Sequence, residues 1–442
     1  MKLPTAKKAL ALLALLLCLI AGERFSFQPS TCSRAHHSNN LRPSFRSLRQ
    51  LWRATAAAEA RFSPVKVAER TGQVFAVTAA FIQGWPSGRV FASQPETPAP
   101  VAPEPSWHKQ SNNSLARLQS VHFTDAAHGW AAGSNGTLLK TADGGATWER
   151  VALPPQFSRD LVREVWAFDG QRLRLLGEYN LTQRPTSAEL DERSFLLASD
   201  DGGTSWQEIE LARPPEKPRR RKRADTPPSE EDQVERLNSP VLTGLAFAGP
   251  QTGWLVGESG TIQSTRDGGA HWQMQYATSR KLFYDVFALD AQQAWIVGGG
   301  GLALRTVDGG ANWNEQPVAA PQTLRAVQFL DARRGWAAGI NGTILATTNG
   351  GNRWQMQPSN STQTLNDVFF VNASEGWAAG DRGTLLRTRN GGATWQDESL
   401  RTFANFNKLY FTAPDCGWVV GTNGSIYKFS ASSDAPPKGT SR

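Results

Sequence analysis

The stretch "GWAAGSNGTLLKTADGGATW", residues 129–148, decides the fold, because the chain writes it five times. It returns as "GWLVGESGTIQSTRDGGAHW" (253–272), "AWIVGGGGLALRTVDGGANW" (294–313), "GWAAGINGTILATTNGGNRW" (335–354) and "GWAAGDRGTLLRTRNGGATW" (376–395). In each copy two tryptophans stand 18 apart, and between the consecutive copies from 253 to 395 the next first tryptophan follows 23 residues later, a period of 41. An alternating segment precedes each copy, as in Leu118, Val121 and Phe123 or Leu324, Val327 and Phe329. Together with the "WAAG" strand, the "GTLLKT" strand and a strand opened by the second tryptophan, this makes a four-stranded antiparallel meander with tight Gly-rich turns. A four-stranded unit of about 40–45 residues is the size of a propeller blade.

Two further units complete the count. One is divergent: its first strand is "VREVWAF" (162–168), Arg174 stands where the tryptophan belongs, phase returns at "SDDGGTSW" (199–206), and relative to the others it carries insertions of 3, 14 and 25 residues, the last after Trp206. The other, "GWVVGTNGSIYKF" (417–429), stops before its fourth strand. Trp107, in "PSWHKQS" (105–111), lies 23 residues before Trp130, the interval that separates the fourth-strand tryptophans Trp272, Trp313, Trp354 and Trp395 from their successors. The N-terminal strand is therefore expected to complete the last blade and close the ring, leaving no open edge. The fold class is all-β, a seven-bladed β-propeller over residues 105–430.

Composition agrees, with 40 Gly, 16 Trp and 21 Phe but only 19% charged residues. The net charge of +8 belongs to the leader: residues 1–100 hold 13 Lys/Arg against 4 Asp/Glu, leaving the remainder near neutral. That argues against a nucleic-acid partner. Residues 1–22 carry Lys2, Lys7 and Lys8 ahead of a 14-residue apolar run, the order of a signal peptide. Cys18 follows three leucines and lacks the small residues of a lipid-anchor site. Residues 23–104 read as a basic, low-order leader ending in a Pro-rich linker, with 24–58 also similar to an organellar transit segment. Residues 212–237, basic then acidic, and the tail 431–442 read as disordered. The three cysteines match neither a disulfide framework nor a metal site.

The turn T/S-x-D/N-G-G-x-x-W recurs six times, with Asp143, Asp201, Asp267, Asp308, Asn349 and Asn390 at its acidic position. It resembles the Asp-box hairpin of sialidases and sortilin-type receptors. Asn serves as well as Asp for capping a turn but poorly for acid–base or metal chemistry, so these residues are assigned a structural role. The whole pattern resembles the photosystem II stability/assembly-factor family of propellers. That resemblance implies a non-catalytic scaffold, facing a lumen or periplasm, that binds new reaction-centre polypeptides through a basic patch. A candidate patch sits one residue before each Asp-box Thr or Ser, where four of seven blades are basic: Lys140, Arg305, Arg387 and Lys428.

No catalytic residue, metal ligand or cofactor is expected. Of five tyrosines, Tyr276 and Tyr284 lie between consecutive blades without a distinctive acidic setting, and no nucleophile elbow or P-loop is present, which gives an enzyme little to work with. The expected partner of this monomer is a protein client, a photosystem or other membrane polypeptide, in the periplasm or outside the cell, or alternatively in a thylakoid lumen. A secreted propeller that binds glycan or cell wall is the alternative, and a glycosidase stands behind it.

Overall fold

The computed structural model describes residues 106–430 apart from 184–191, 214–239 and 277–280. Its strands form seven four-stranded antiparallel sheets. Blade 1 comprises Leu118–Phe123, Gly129–Gly133, Thr137–Thr141 and Glu149–Val151. The other innermost strands are Leu161–Ala167, Leu242–Ala248, Phe283–Ala288, Leu324–Phe329, Leu365–Phe370 and Phe406–Ala413 for blades 2 to 7. Helical structure among the described residues is limited to three-residue 3-10 turns. The leader, the linker and the tail lie outside the described residues, as does the 212–237 insertion beyond its first two positions.

Ser106–Lys109 adds to blade 7 as its outer strand, with Trp107 opposite Phe429 and Lys109 opposite Tyr427. The indole meets Phe429 at 5.2 Å and Phe411 at 5.9 Å between ring centroids, so the seam closes on aromatic packing as well as hydrogen bonds.

The repeat is a record of how blades hold one another. Where the next blade's innermost strand carries a phenylalanine near its end, the second-strand tryptophan stacks flat on it, as in Trp295 on Phe329 at 3.8 Å, Trp336 on Phe370 at 3.6 Å and Trp418 on Phe123 at 3.5 Å. The glycine before the tryptophan is required because the blade's own phenylalanine lies over it. A Cβ on Gly129 would stand 2.4 Å from the Phe123 ring. The same tryptophans donate Nε1–H to the first Asp-box glycine of the following blade, as from Trp295 to Gly350 O (2.9 Å) and Trp418 to Gly144 O (3.1 Å).

Arg174 takes over that task in blade 2. Only 8% exposed, it donates Nε–H to Gly268 O at 2.9 Å, the equivalent acceptor in blade 3. Its stem and flat guanidinium fill the place of an indole, with the Phe168 ring 5.7 Å away. The insertions therefore leave the blade-to-blade joint intact.

Candidate functional site

The six Asp-box turns share one hydrogen-bond pattern. In blade 1, Thr141 Oγ1 accepts from Gly145 N (2.8 Å) and donates to Asp143 Oδ1 (2.8 Å), which also accepts from Thr147 N (2.9 Å). Gly144 and Gly145 sit at φ 68° and 91°, a region open to glycine. Asn349 and Asn390 make the same bonds, accepting from Arg353 N and Thr394 N at 2.9 Å. The Ser205 hydroxyl and backbone N–H, with Ser199, hold Asp201 down at about 2. These carboxylates are committed acceptors in their own hairpins.

The basic positions follow from the register of the second and third strands. Lys140 lies opposite Trp130, Arg305 opposite Trp295, Arg387 opposite Trp377 and Lys428 opposite Trp418. Each cation rests on its tryptophan, at 5.7 Å for the two lysines, 5.1 Å for Arg305 and 5.0 Å for Arg387. Lys140, Arg305 and Lys428 are half-buried, with their heads beside Gly202, Gly350 and Gly144 of the next blade's Asp box. Arg387 differs: it is 6% exposed, and its guanidinium is taken up by Glu375 and Glu398. All four share the Asp-box side of the ring, one per blade.

A second constellation was absent from the sequence reading. The innermost strands enclose a central cavity of about 590 Å³. Ten residues before each blade's tryptophan (or Arg174) one ring position faces it: Ser120, Glu164, Asp285, Asp367 and Lys408, with Gly244 and Ala326 in the two remaining blades. A β-bulge precedes this position in every blade, turning it toward the next one. Asp285 Oδ2 accepts from Val327 N (2.9 Å), Asp367 Oδ2 from Leu409 N (2.7 Å) and Ser120 Oγ from Val165 N (3.2 Å). Glu164 accepts from Ser120 Oγ (2.7 Å) and from Lys408 Nζ (3.5 Å). A charged residue at a fixed phase of an otherwise apolar strand was the available signal.

Burial sets the electrostatics. Desolvation pushes Glu164 and Asp285 up, and Asp367 up to about 7, against the pull of Lys408. Burial works against the charge on Lys408 too, but the three carboxylates outweigh it and the ammonium is held charged. His122, buried and facing Lys408, falls to about 3 and is neutral. Above the ring, toward the Asp-box side, stand Trp166, Phe287, Phe369 and Tyr410, an aromatic belt. Among the described residues, no group of three or more His, Cys, Asp or Glu could hold a metal ion.

Seven blades, six of them with an Asp box, closed by the N-terminal strand around a charged channel, define a β-propeller of the BNR-repeat class. The chain belongs to the family "Photosynthesis system II assembly factor YCF48", which matches residues 99–231, 222–321, 312–396 and 356–430. The photosystem II assembly lipoprotein Ycf48 of Synechococcus sp. (strain CC9902) is 24% identical over 177 residues, 40% of this chain and 42% of that protein. The chain thus matches less than half the length of this curated relative. A solved structure described as "YCF48 bound to D1 peptide" has the same fold, with a TM-score of 0.56 at 23% identity over 76% of this chain and 99% of that one. A xyloglucanase of Xanthomonas campestris also shares the fold, with a TM-score of 0.51 at 14% identity over 73% of this chain and 53% of that one.

Proposed function

We propose that this chain is an exported, non-catalytic scaffold that holds a segment of a membrane protein, of the photosystem II reaction-centre kind, during assembly. The observation that carries the reading is the extent of the family match, which spans the propeller from residue 99 to 430. In a relative of the same fold the bound partner is a D1 peptide. The client is read as docking on the Asp-box side, where the ammonium groups of Lys140 and Lys428 and the guanidinium of Arg305 stand beside the turns. Arg387 supports that surface from below through Glu375 rather than contacting the client.

The glycan alternative is weaker because sugar binding uses exposed aromatic platforms. No tryptophan among the described residues is exposed, and the Asp-box tryptophans Trp313 and Trp354 are only 4% accessible. The Asp boxes lend the glycosidase alternative no support, since their described acids are held in their own turns.

Affinity purification from native membranes with crosslinking tests the reading. Recovery of a reaction-centre polypeptide, lost in the double variant Lys140→Glu, Lys428→Glu, is the expected result. Recovery of no membrane polypeptide by the folded wild-type chain overturns it.

A further inference from the structure

The channel ring has a charge imbalance that its own side chains do not correct. Three carboxylates face one ammonium, and Lys408 is hydrogen-bonded to Glu164. Asp285 and Asp367 are left with backbone N–H donors, although Asp367 is only 5% exposed. Blade 5, which lies between theirs, contributes Ala326 at the same register, so no side-chain cation stands on that side of the ring. A buried carboxylate without a partner is costly, and either a proton or a cation offsets that cost.

Three further features point to a cation. Phe287 and Phe369 lie two residues along the same strands as Asp285 and Asp367, so strand alternation puts each ring above its carboxylate in the cavity wall. Aromatic faces stabilise a desolvated cation through the negative face of the ring. His122 lines the same cavity, and its Nδ1, out of reach of solvent, has no hydrogen-bond partner. The cavity, at about 590 Å³, is far larger than a metal ion, and its outer end lies among the turns of the Asp-box side at Phe168, Gly249 and Pro250. Arg172 at that rim is paired with Asp169, which removes the repulsion it would otherwise offer.

We propose that the central channel receives one basic side chain, a lysine or arginine presented by a peptide from the Asp-box side, held between the carboxylates of Asp285 and Asp367 and flanked by Phe287 and Phe369. The inference rests on the client-binding reading only for the source of that peptide. The bound cation displaces the proton that Asp367 carries near neutrality, so binding tightens as pH rises through about 7.

The test is calorimetric titration of the full chain with acetyl-Gly-Arg-Gly-amide and with its neutral citrulline counterpart. A single buried side chain supports a dissociation constant on the order of millimolar. The arginine peptide is expected to bind at least about tenfold more tightly than the citrulline peptide. Asp285→Asn and Asp367→Asn are each expected to remove that preference. Ala326→Lys, which supplies the cation from within the ring, is expected to abolish binding while leaving the protein folded. Equal binding of the two peptides, or no binding by either to the folded wild-type chain, overturns the inference. Neither result touches the client reading, which fails if membrane capture fails, whether or not the arginine peptide binds.

Discussion

The joints between blades and the ring around the axis obey opposite rules. At the joints the chain repeats itself: Trp295, Trp336 and Trp418 stack on the next blade's phenylalanine and bond to its Asp-box glycine in the same way. At the axis the seven equivalent positions carry Ser, Glu, Gly, Asp, Ala, Asp and Lys. A residue that must fit the next copy of its own blade is held constant by that copy. A residue that faces the axis answers to the whole ring, and there the sequence diversifies. The repeated part is scaffold, and the diversified part is where a particular partner can be recognised.

The largest effect should come from breaking a joint. Trp295→Ala removes a fully buried stack, and large aromatic deletions cost about 3–5 kcal/mol, read by chemical denaturation. Lys408→Met attacks the axis instead, stranding three carboxylates, and breaking a buried ion pair costs about 3–5 kcal/mol. That loss should be full at pH 8 and shrink toward pH 5 as the carboxyls take up protons, whereas the Trp295→Ala loss should not depend on pH. If both variants respond alike to pH, the distinction between joint and axis falls.

A finer test separates two groups within the ring. Asp367, raised to about 7, gives the folded state stability that is full below its unfolded value near 3.8 and is lost as pH rises to about 7. His122, lowered to about 3, does the reverse: its contribution is full above its unfolded value of 6.5 and is lost as pH falls. Between about pH 4 and 6.5 the two slopes, each about 1.4 kcal/mol per pH unit at most, oppose one another. Asp367→Asn should therefore make stability fall on acidification through that window, and His122→Asn should make it fall on alkalinisation. Thermal unfolding across pH 4–8 reads both signs. The smallest effect is expected at the Asp box. Asp143→Asn should change stability by less than about 0.5 kcal/mol, because Asn349 and Asn390 already hold the same turn.

The joints were legible in the sequence because they are written into every copy. Even the pairing of Trp107 with the last blade followed from an interval of 23 residues. Arg174 read as a loss of pattern, since a residue-by-residue comparison does not convey that a guanidinium can supply an indole's flat stem and its N–H. The basic positions were found, but their partners were not. Lys140 and Lys428 face a tryptophan across the strand pair, and Arg387 also meets Glu375 from the same blade's inner turn. The channel ring was missed outright. A lone Asp or Lys in an alternating strand resembles an ordinary solvated face, and only closure of the ring turns Asp285, Asp367 and Lys408 toward one another.

The strand Ser106–Lys109 also puts the parts of this protein in an order in time. Its partner, Ile426–Ser430, is the last strand of the propeller to be synthesised, so the first strand made is the last to find its place. Until Phe429 emerges, Trp107 has no pocket, blade 7 has only two of its four strands in place, and the channel cannot bring Lys408 round to Glu164. The charged axis is therefore assembled only in a chain translated through its final blade. A product truncated before Phe429 lacks the ring-closing contact, and one truncated before Lys408 also lacks the cation that neutralises the ring, which gives an unfinished molecule two separate marks.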